Sequence, residues 1–267
     1  MKLLSILFAL CCAAPAVAAD APRPIRLSTT TSTEASGLLG QLLPQFEAQS
    51  GMKVHVIAVG TGKALELAKN GDVDVALVHA REAEDKFVAA GYGVRRHDVM
   101  YNDFVLLGPP ADPAAIGAGR DVLAALRKIV SSGARFVSRG DASGTEQKEL
   151  GYWAQLGVKP QGAAYVSAGQ GMMEVLNMAS QMQAYTLSDR ATFAAGAPRL
   201  QLRIVAEGDS AMLNPYGVIA VNPARHPGVN AAGAQALIDW LTGPRGQAAI
   251  AGFKIAGKQV FFPSAQK

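Results

Sequence analysis

The chain has 267 residues, 49% hydrophobic and 17% charged, with 25 Lys+Arg against 21 Asp+Glu for a formal net charge of +4. This is the composition of an ordinary globular protein, long enough for one large or two modest domains. The mild basic excess comes without a dense Lys/Arg run and with few aromatics. It argues against a nucleic-acid partner and is compatible with a small anion.

Met1-Lys2 is a short basic start, Leu3 to Ala14 is apolar, and Ala16-Val17-Ala18 has the small residues of a cleavage site. The pattern predicts a secretory signal peptide over residues 1–19 and a periplasmic mature protein, because the apolar run is too short to span a bilayer. Cys11 and Cys12 lie in that segment, and Leu10-Cys11 is a poor context for lipidation at Cys12. The expected mature chain of 248 residues (267 − 19) therefore has neither disulfide nor thiolate ligand.

From Leu27 an apolar start runs into five hydroxyl residues, Ser28, Thr29, Thr30, Thr31 and Ser32. A periodic helix carrying Leu38, Leu39, Leu42, Leu43 and Phe46 is expected to follow at once. Hydroxyls where a strand feeds a helix can cap it, and can also donate to an anion held at its positive end. Five exceed what one cap needs. Val54 to Val59 reads as a strand ending in Gly60-Thr61-Gly62, with a helix from Lys63 to Lys69, a strand from Val73 to His79 and a helix from Glu82 to Ala90. Such βαβα alternation predicts parallel pairing covered by helices.

Phe104 to Leu107 leads into Gly108-Pro109-Pro110, a break that reads as a crossing between domains. A new unit follows: helix Asp121 to Ser131, strand Arg135 to Ser138, helices Gly144 to Leu156 and Gly171 to Gln181, and strand Leu202 to Ala206. After a second break near residues 208 to 216, which includes Asn214-Pro215-Tyr216, come strand Gly217 to Val221 and helices near Val229 to Leu241 and Gly246 to Ala251. The two breaks predict a discontinuous first lobe, 20–107 with 216–267, and an inserted second lobe, 108–215. A ligand cleft is expected between them.

Three motifs could meet there. Ser28 to Ser32, with Thr30, Thr31 and Ser32 nearest the helix, form the first. Gly60-Thr61-Gly62-Lys63 is the second, a turn whose backbone N–H groups could face an anion but which is neither a Walker nor a dinucleotide motif. The third is Ser138-Arg139-Gly140-Asp141-Ala142-Ser143-Gly144-Thr145. Arg139 offers a planar fork of donors, while Ser143 and Thr145 add hydroxyls at a helix start. A structural knot, with Asp141 pairing Arg139 and Ser143 capping the helix, is the competing interpretation. His55, His79, His97 and His226 have no metal spacing, and the two in strand patterns read as packing residues. No metal or cofactor is expected. Ser143 lacks the glycine spacing of a nucleophile elbow.

Thr29 to Thr33, Ala58 to Ala68 (AVGTGKALELA), Gly71 to Ala80 (GDVDVALVHA), Val99 to Pro109, Phe136 to Trp153, Gly169 to Met172 (GQGM) and Ala184 to Phe193 occur in that order. Together they resemble the periplasmic tungstate-binding proteins of ABC transporters, over about residues 25–255. The resemblance implies an α/β class II periplasmic binding protein: two lobes with mixed sheets, a two-segment hinge and the oxyanion in the interdomain cleft. It implies an anion site of Thr30, Thr31, Ser32, Thr61, Arg139, Ser143 and Thr145, with a backbone N–H near Gly171 or Met172. The implied partner is a membrane permease, and a monomer is the default. Ala191 departs from the glycine expected after Asp189-Arg190, a change expected to alter a local turn. Molybdate, sulfate or phosphate stay open as ligands. A secreted phosphate- or sulfate-ester hydrolase using Ser143, and a purely structural or adhesive domain, are the readings from other classes.

Overall fold

The computed structural model describes residues 23–265, so the expected signal peptide and both cysteines lie outside the described residues. The first stretch comprises β1 (Ile25–Thr30), α1 (Thr31–Ala35), α2 (Leu38–Ser50), β2 (Val54–Val59), α3 (Thr61–Asn70), β3 (Val75–Val78), α4 (Arg81–Ala89) and β4 (Gly93–Gly108). Next come α5 (Val122–Ser132), β5 (Phe136–Ser138), α6 (Gly144–Gln155), β6 (Tyr165–Ser167), α7 (Met172–Met182), β7 (Thr186–Asp189), α8 (Arg190–Gly196) and β8 (Arg203–Ala206). The chain closes with β9 (Leu213–Val221), α9 (Ala231–Thr242), α10 (Pro244–Gly252) and the short β10 (Lys254–Ile255), β11 (Lys258–Gln259) and β12 (Phe262–Pro263).

One sheet runs β2-β1-β3-β9-β4-β12, with β1 parallel to β2 and β3, and β9 antiparallel to β3 and β4. All four residues of β3 are buried, as expected of a central strand covered on both faces. Leu38, Leu42 and Phe46 of α2 pack on one face with Leu237 of α9 and Ile250 of α10. Ala64 and Ala68 of α3 and Phe87 of α4 cover the other.

The second sheet grows from the far end of β4. Residues Gly93 to Asp103 pair with β9, whereas Phe104 to Gly108 pair with β7 and β8. A bridge between Phe136 and Tyr185 then attaches β5, which is parallel to β6. Leu126, Ile129 and Trp153 from α5 and α6 pack against Phe104 and Leu187, and Val175 and Leu176 of α7 pack against Val105, Leu107 and Val137. The α/β layering expected from the alternation is present with a core on each side of β4, but the pairing is mixed, as the resemblance implied, because β9 and β4 run antiparallel to their neighbours.

Most helices and strands lie within about two residues of their expected ends. Three differences matter. The hydroxyl run does not enter the Leu38 helix directly: Thr30 caps the five-residue α1, and Gly37, at φ +78°, breaks the chain before α2. The second break, expected near 208 to 216, ends at Met212: Asn214-Pro215-Tyr216 already belong to β9, and Pro215 is tolerated because β3 pairs with β9 only from Gly217 onward. Ala191 sits inside α8 rather than in a turn, fully buried and packed with the core around Phe46 and Tyr216.

Candidate anion-binding site

Four helices begin where strands of the two sheets end: α1 after β1, α3 after β2, α6 after β5 and α7 after β6. Each start carries N–H groups without helical partners and a positive dipole end. Such crevices at the carboxyl ends of parallel strands are where α/β folds hold ligands.

The five hydroxyls divide their work. Ser28 Oγ donates to Ala64 O of α3 at 3.0 Å and Thr29 Oγ1 donates to Leu77 O of β3 at 2.8 Å, so both are spent on the fold. Thr30 Oγ1 caps α1 by accepting from Thr33 N at 3.2 Å, and lies 3.1 Å from Ser32 Oγ. Thr31 Oγ1 is buried with no protein partner. It faces α7, since a Cβ built on Gly171 would lie 3.9 Å away from it. A buried hydroxyl with no partner is costly, so this atom fits a site completed by a ligand.

The Arg139 loop realises the structural knot and stays aimed at the same place. Arg139 is 3% exposed; its Nε donates to Gln170 O at 2.8 Å and its Nη2 to the Asp141 carboxylate. Asp141 also accepts from Ser143 N at 3.2 Å, and Ser143 Oγ caps α6 by accepting from Glu146 N. Gly140 has φ +66°, and a Cβ there would fall 2.1 Å from Ser167 Oγ, so only glycine fits. Gly144 N donates to Thr61 Oγ1 at 3.0 Å, joining the start of α6 to that of α3. Thr145 is buried in the first turn of α6.

These contacts close a circuit. Thr31 faces Gly171, Gln170 holds Arg139, Arg139 pairs with Asp141 beside Ser143, and Gly144 reaches Thr61. Gly144 also approaches His79, where a Cβ would lie 3.2 Å from the ring, and His79 Nε2 lies 3.2 Å from Thr30 Oγ1 and 3.3 Å from Ser32 Oγ. All seven expected residues thus come together. His79, expected to be a packing residue, stands in the circuit as well. Its position at the end of a fully buried strand in an alternating β/α pattern was the signal available in the sequence.

Burial pushes the His79 pKa down to about 4, opposed by its bond to Asn214 and reinforced by the Arg139 charge, so its imidazole is neutral. Asp189, also fully buried nearby, is shifted upward chiefly by desolvation. No group of three His, Cys, Asp or Glu suited to a metal occurs among the described residues. A cavity of about 510 Å³ lined by His79, Arg81, Gly144, Lys148 and Asn214 adjoins the circuit. A larger cavity of about 760 Å³ is lined by Tyr101, Asp103, Arg190, Phe193, Asp209 and Phe262 among others; its Arg190 is already paired with Asp103 and Glu207, and the hydroxyl motif and the Arg139 loop are not in its wall.

A two-sheet α/β fold with donors converging between its halves defines a solute-binding protein, and residues 16–245 match the PBP superfamily domain. The tungstate-binding protein TupA of Peptoclostridium acidaminophilum is 48% identical over 247 residues, covering 91% of this chain and 86% of the relative. The crystal structure described as the tungstate ABC transporter from Geobacter sulfurreducens shares 51% identity at TM-score 0.81, over 88% of this chain and 100% of that one. The tungstate-binding protein TupA from Desulfovibrio alaskensis G20 shares 44% identity at TM-score 0.77, over 91% and 100%. The chain belongs to the periplasmic-binding-protein superfamily and, within it, to the family of these tungstate-binding proteins.

Proposed function

We propose that this protein captures tungstate outside the cytoplasm and hands it to the membrane permease of an ABC transporter. It acts as a binding protein and not as an enzyme, in keeping with relatives named as tungstate-binding and transporter components. No helix among the described residues is long and apolar enough to cross a membrane.

The observation that carries the site is the unpartnered Thr31 hydroxyl beside a buried arginine and four helix starts. A tetrahedral dianion stripped of water needs many donors around it. Hydroxyls and backbone N–H groups supply them without repelling one another, and the guanidinium strengthens the bonds by its charge. We assign Thr31, Ser32, Arg139 and Thr145 as donors to the ligand. Thr61 and Ser143 retain hydroxyl protons to donate while accepting from Gly144 N and Glu146 N. Thr30 completes the set as the cap that positions Ser32.

The lobes we propose are those expected from the sequence, 20–107 with 216–267 and 108–215, with the first crossing moved ahead of Phe104 because Phe104 to Leu107 pair and pack with the second lobe. The switch of β4 from β9 to β7 supports placing the first crossing between Asp103 and Phe104. Closure about β4 and the entry to β9 would trap the anion and offer the permease a surface made of both lobes. Such a carrier works as a monomer. Calorimetric titration of anion-stripped protein with tungstate, molybdate, sulfate and phosphate tests the reading. Tight tungstate binding with sulfate and phosphate silent is expected, and the molybdate titration ranks the second ligand. No heat with any of the four would refute it.

A further inference from the structure

A buried chain of side chains leaves the site and passes through both strands that join the lobes. His79 Nδ1 lies 3.0 Å from Asn214 Oδ1, and Asn214 Nδ2 donates to Asn102 Oδ1 at 2.7 Å. Asn102 on β4 and Asn214 on β9 stand directly opposite each other in the ladder. Asn102 Nδ2 donates to Asp189 Oδ1 at 3.5 Å, the longest link, and Asp189 Oδ1 also accepts from Thr192 N at 2.8 Å. Thr192 Oγ1 donates to Ser32 O at 3.4 Å, which returns the chain to the hydroxyl motif and closes a ring. His79, Asn102, Asp189, Thr192, Asn214 and Ser32 are all at most 5% exposed.

The ring has a direction. Asp189 Oδ1 accepts from Thr192 N and, carrying no proton of its own, also accepts from the Asn102 amide nitrogen. The Asn102 oxygen then faces Asn214 Nδ2, and Asn214 Oδ1 faces His79. A carbonyl oxygen only accepts, so the His79 proton sits on Nδ1 and its Nε2 is a lone pair turned to Thr30 and Ser32. The ring of Tyr216 packs against that of His79, with centroids 4.7 Å apart.

We infer that His79, Asn102 and Asn214 are positioning residues for anion capture: they read the pairing of the two hinge strands and pass it, as a fixed imidazole acceptor, to the Thr30 and Ser32 hydroxyls. Thr30 has the fuller set of neighbours, accepting from Thr33 N while lying 2.6 Å from Thr33 Oγ1. Its proton goes to His79 Nε2, which leaves the Ser32 O–H free for the ligand. A hydroxyl that is pre-aimed costs less to order on binding than one that rotates freely. Loss of the Asn102–Asn214 bond releases the aim, so the ladder between β4 and the start of β9 holds the donors ready beside the hinge.

This inference rests on the proposed oxyanion reading, and two measurements separate them. In the first, release of tungstate from His79→Phe and His79→Gln is followed by stopped-flow competition. His79→Phe should release roughly tenfold to a hundredfold faster, the consequence of a buried hydroxyl losing its acceptor. His79→Gln, whose side-chain oxygen can accept in place of Nε2, should recover most of that loss. In the second, ¹⁵N-histidine NMR of the wild-type chain at neutral pH should show the Nδ1–H tautomer with Nε2 unprotonated. A folded His79→Phe protein with wild-type release, or an Nε2–H tautomer in the tungstate-loaded protein, overturns the positioning role alone. A wild-type chain that binds no tungstate overturns the reading beneath it.

Discussion

Thr31 and Arg139 make opposite predictions about stability, although both are assigned to the ligand. Thr31 Oγ1 bonds to nothing in the protein, so Thr31→Ala should leave the ligand-free melting temperature unchanged or slightly raised. The same change should weaken tungstate binding by about 1–3 kcal/mol, the cost of leaving a buried oxyanion oxygen short of a donor. Arg139 is tied to Gln170 and Asp141, so Arg139→Ala frees a buried carboxylate as well as removing a charge. Calorimetry should show a loss of about 2–5 kcal/mol in binding, the range for truncating one partner of a buried charge contact. Unchanged affinity in either variant removes that residue from the site.

His79 gives a pH signature. In the unfolded chain it takes up a proton near pH 6.5, whereas in the native chain it does so only near 4. Its contribution to stability is therefore complete above 6.5 and is lost as pH falls toward 4, by up to about 3 kcal/mol. Asp189, Glu84 and Glu149, raised chiefly by burial, act with the opposite sign as pH rises. His97, lowered by burial, acts in the same direction as His79. The share of His79 is thus the difference in denaturant midpoint between wild type and His79→Gln, measured at pH 7 and pH 4.5. That difference should move toward the glutamine variant at the lower pH. A pH-independent difference would show that the histidine titrates normally in the fold.

At the level of elements, the site is a property of loops that only particular residues can turn. Gly140 combines a left-handed φ with a Cβ position already occupied by Ser167. Gly140→Ala should cost about 1–3 kcal/mol from strained backbone and displace Arg139 with it, so that stability and tungstate affinity fall together. Urea unfolding beside calorimetry checks this, and an alanine variant with both values intact would show that the loop adapts. Ser143, by comparison, caps α6 in the ordinary way, and its loss is expected to cost about 0.5–2 kcal/mol of stability before any ligand is added.

Across the whole molecule, β4 and the start of β9 join two cores that otherwise have their own helices. The polar bonds seen between the halves near the site are Gly144 to Thr61 on one side and Asn102 to Asp189 and Thr192 to Ser32 on the other, with Arg190 paired to Asp103 beside the hinge. So sparse a seam is expected to open without ligand and to close with it. Small-angle scattering should show a smaller radius of gyration after tungstate is added to anion-stripped protein. No change in radius would mean that capture proceeds without hinge closure. Ligand at a hundred times its dissociation constant should also raise stability by about 2.7 kcal/mol through mass action, visible as a higher melting temperature.

Much of this was written locally. Helix and strand periods, the alternation that builds parallel pairs, the hydroxyl run and the Arg139 loop are short-range patterns, and their chemistry follows from residue type and neighbours. The donor set could be chosen from them because hydroxyls, an arginine and helix starts suit an oxyanion wherever they meet. What the chain could not show locally is which atoms are already occupied. Ser28 and Thr29 look like Thr31 in sequence, yet a helix and a neighbouring strand take the hydroxyls of the first two and leave the third unpaired. Likewise, nothing in Asn102 or Asn214 taken singly marks either as more than a polar residue in a strand. Their meaning comes from an antiparallel register over 100 residues apart in the chain, which sets them face to face between His79 and Asp189. Hydrogen bonds saturate, and only tertiary structure decides which donors are spent on the fold and which remain for the ligand.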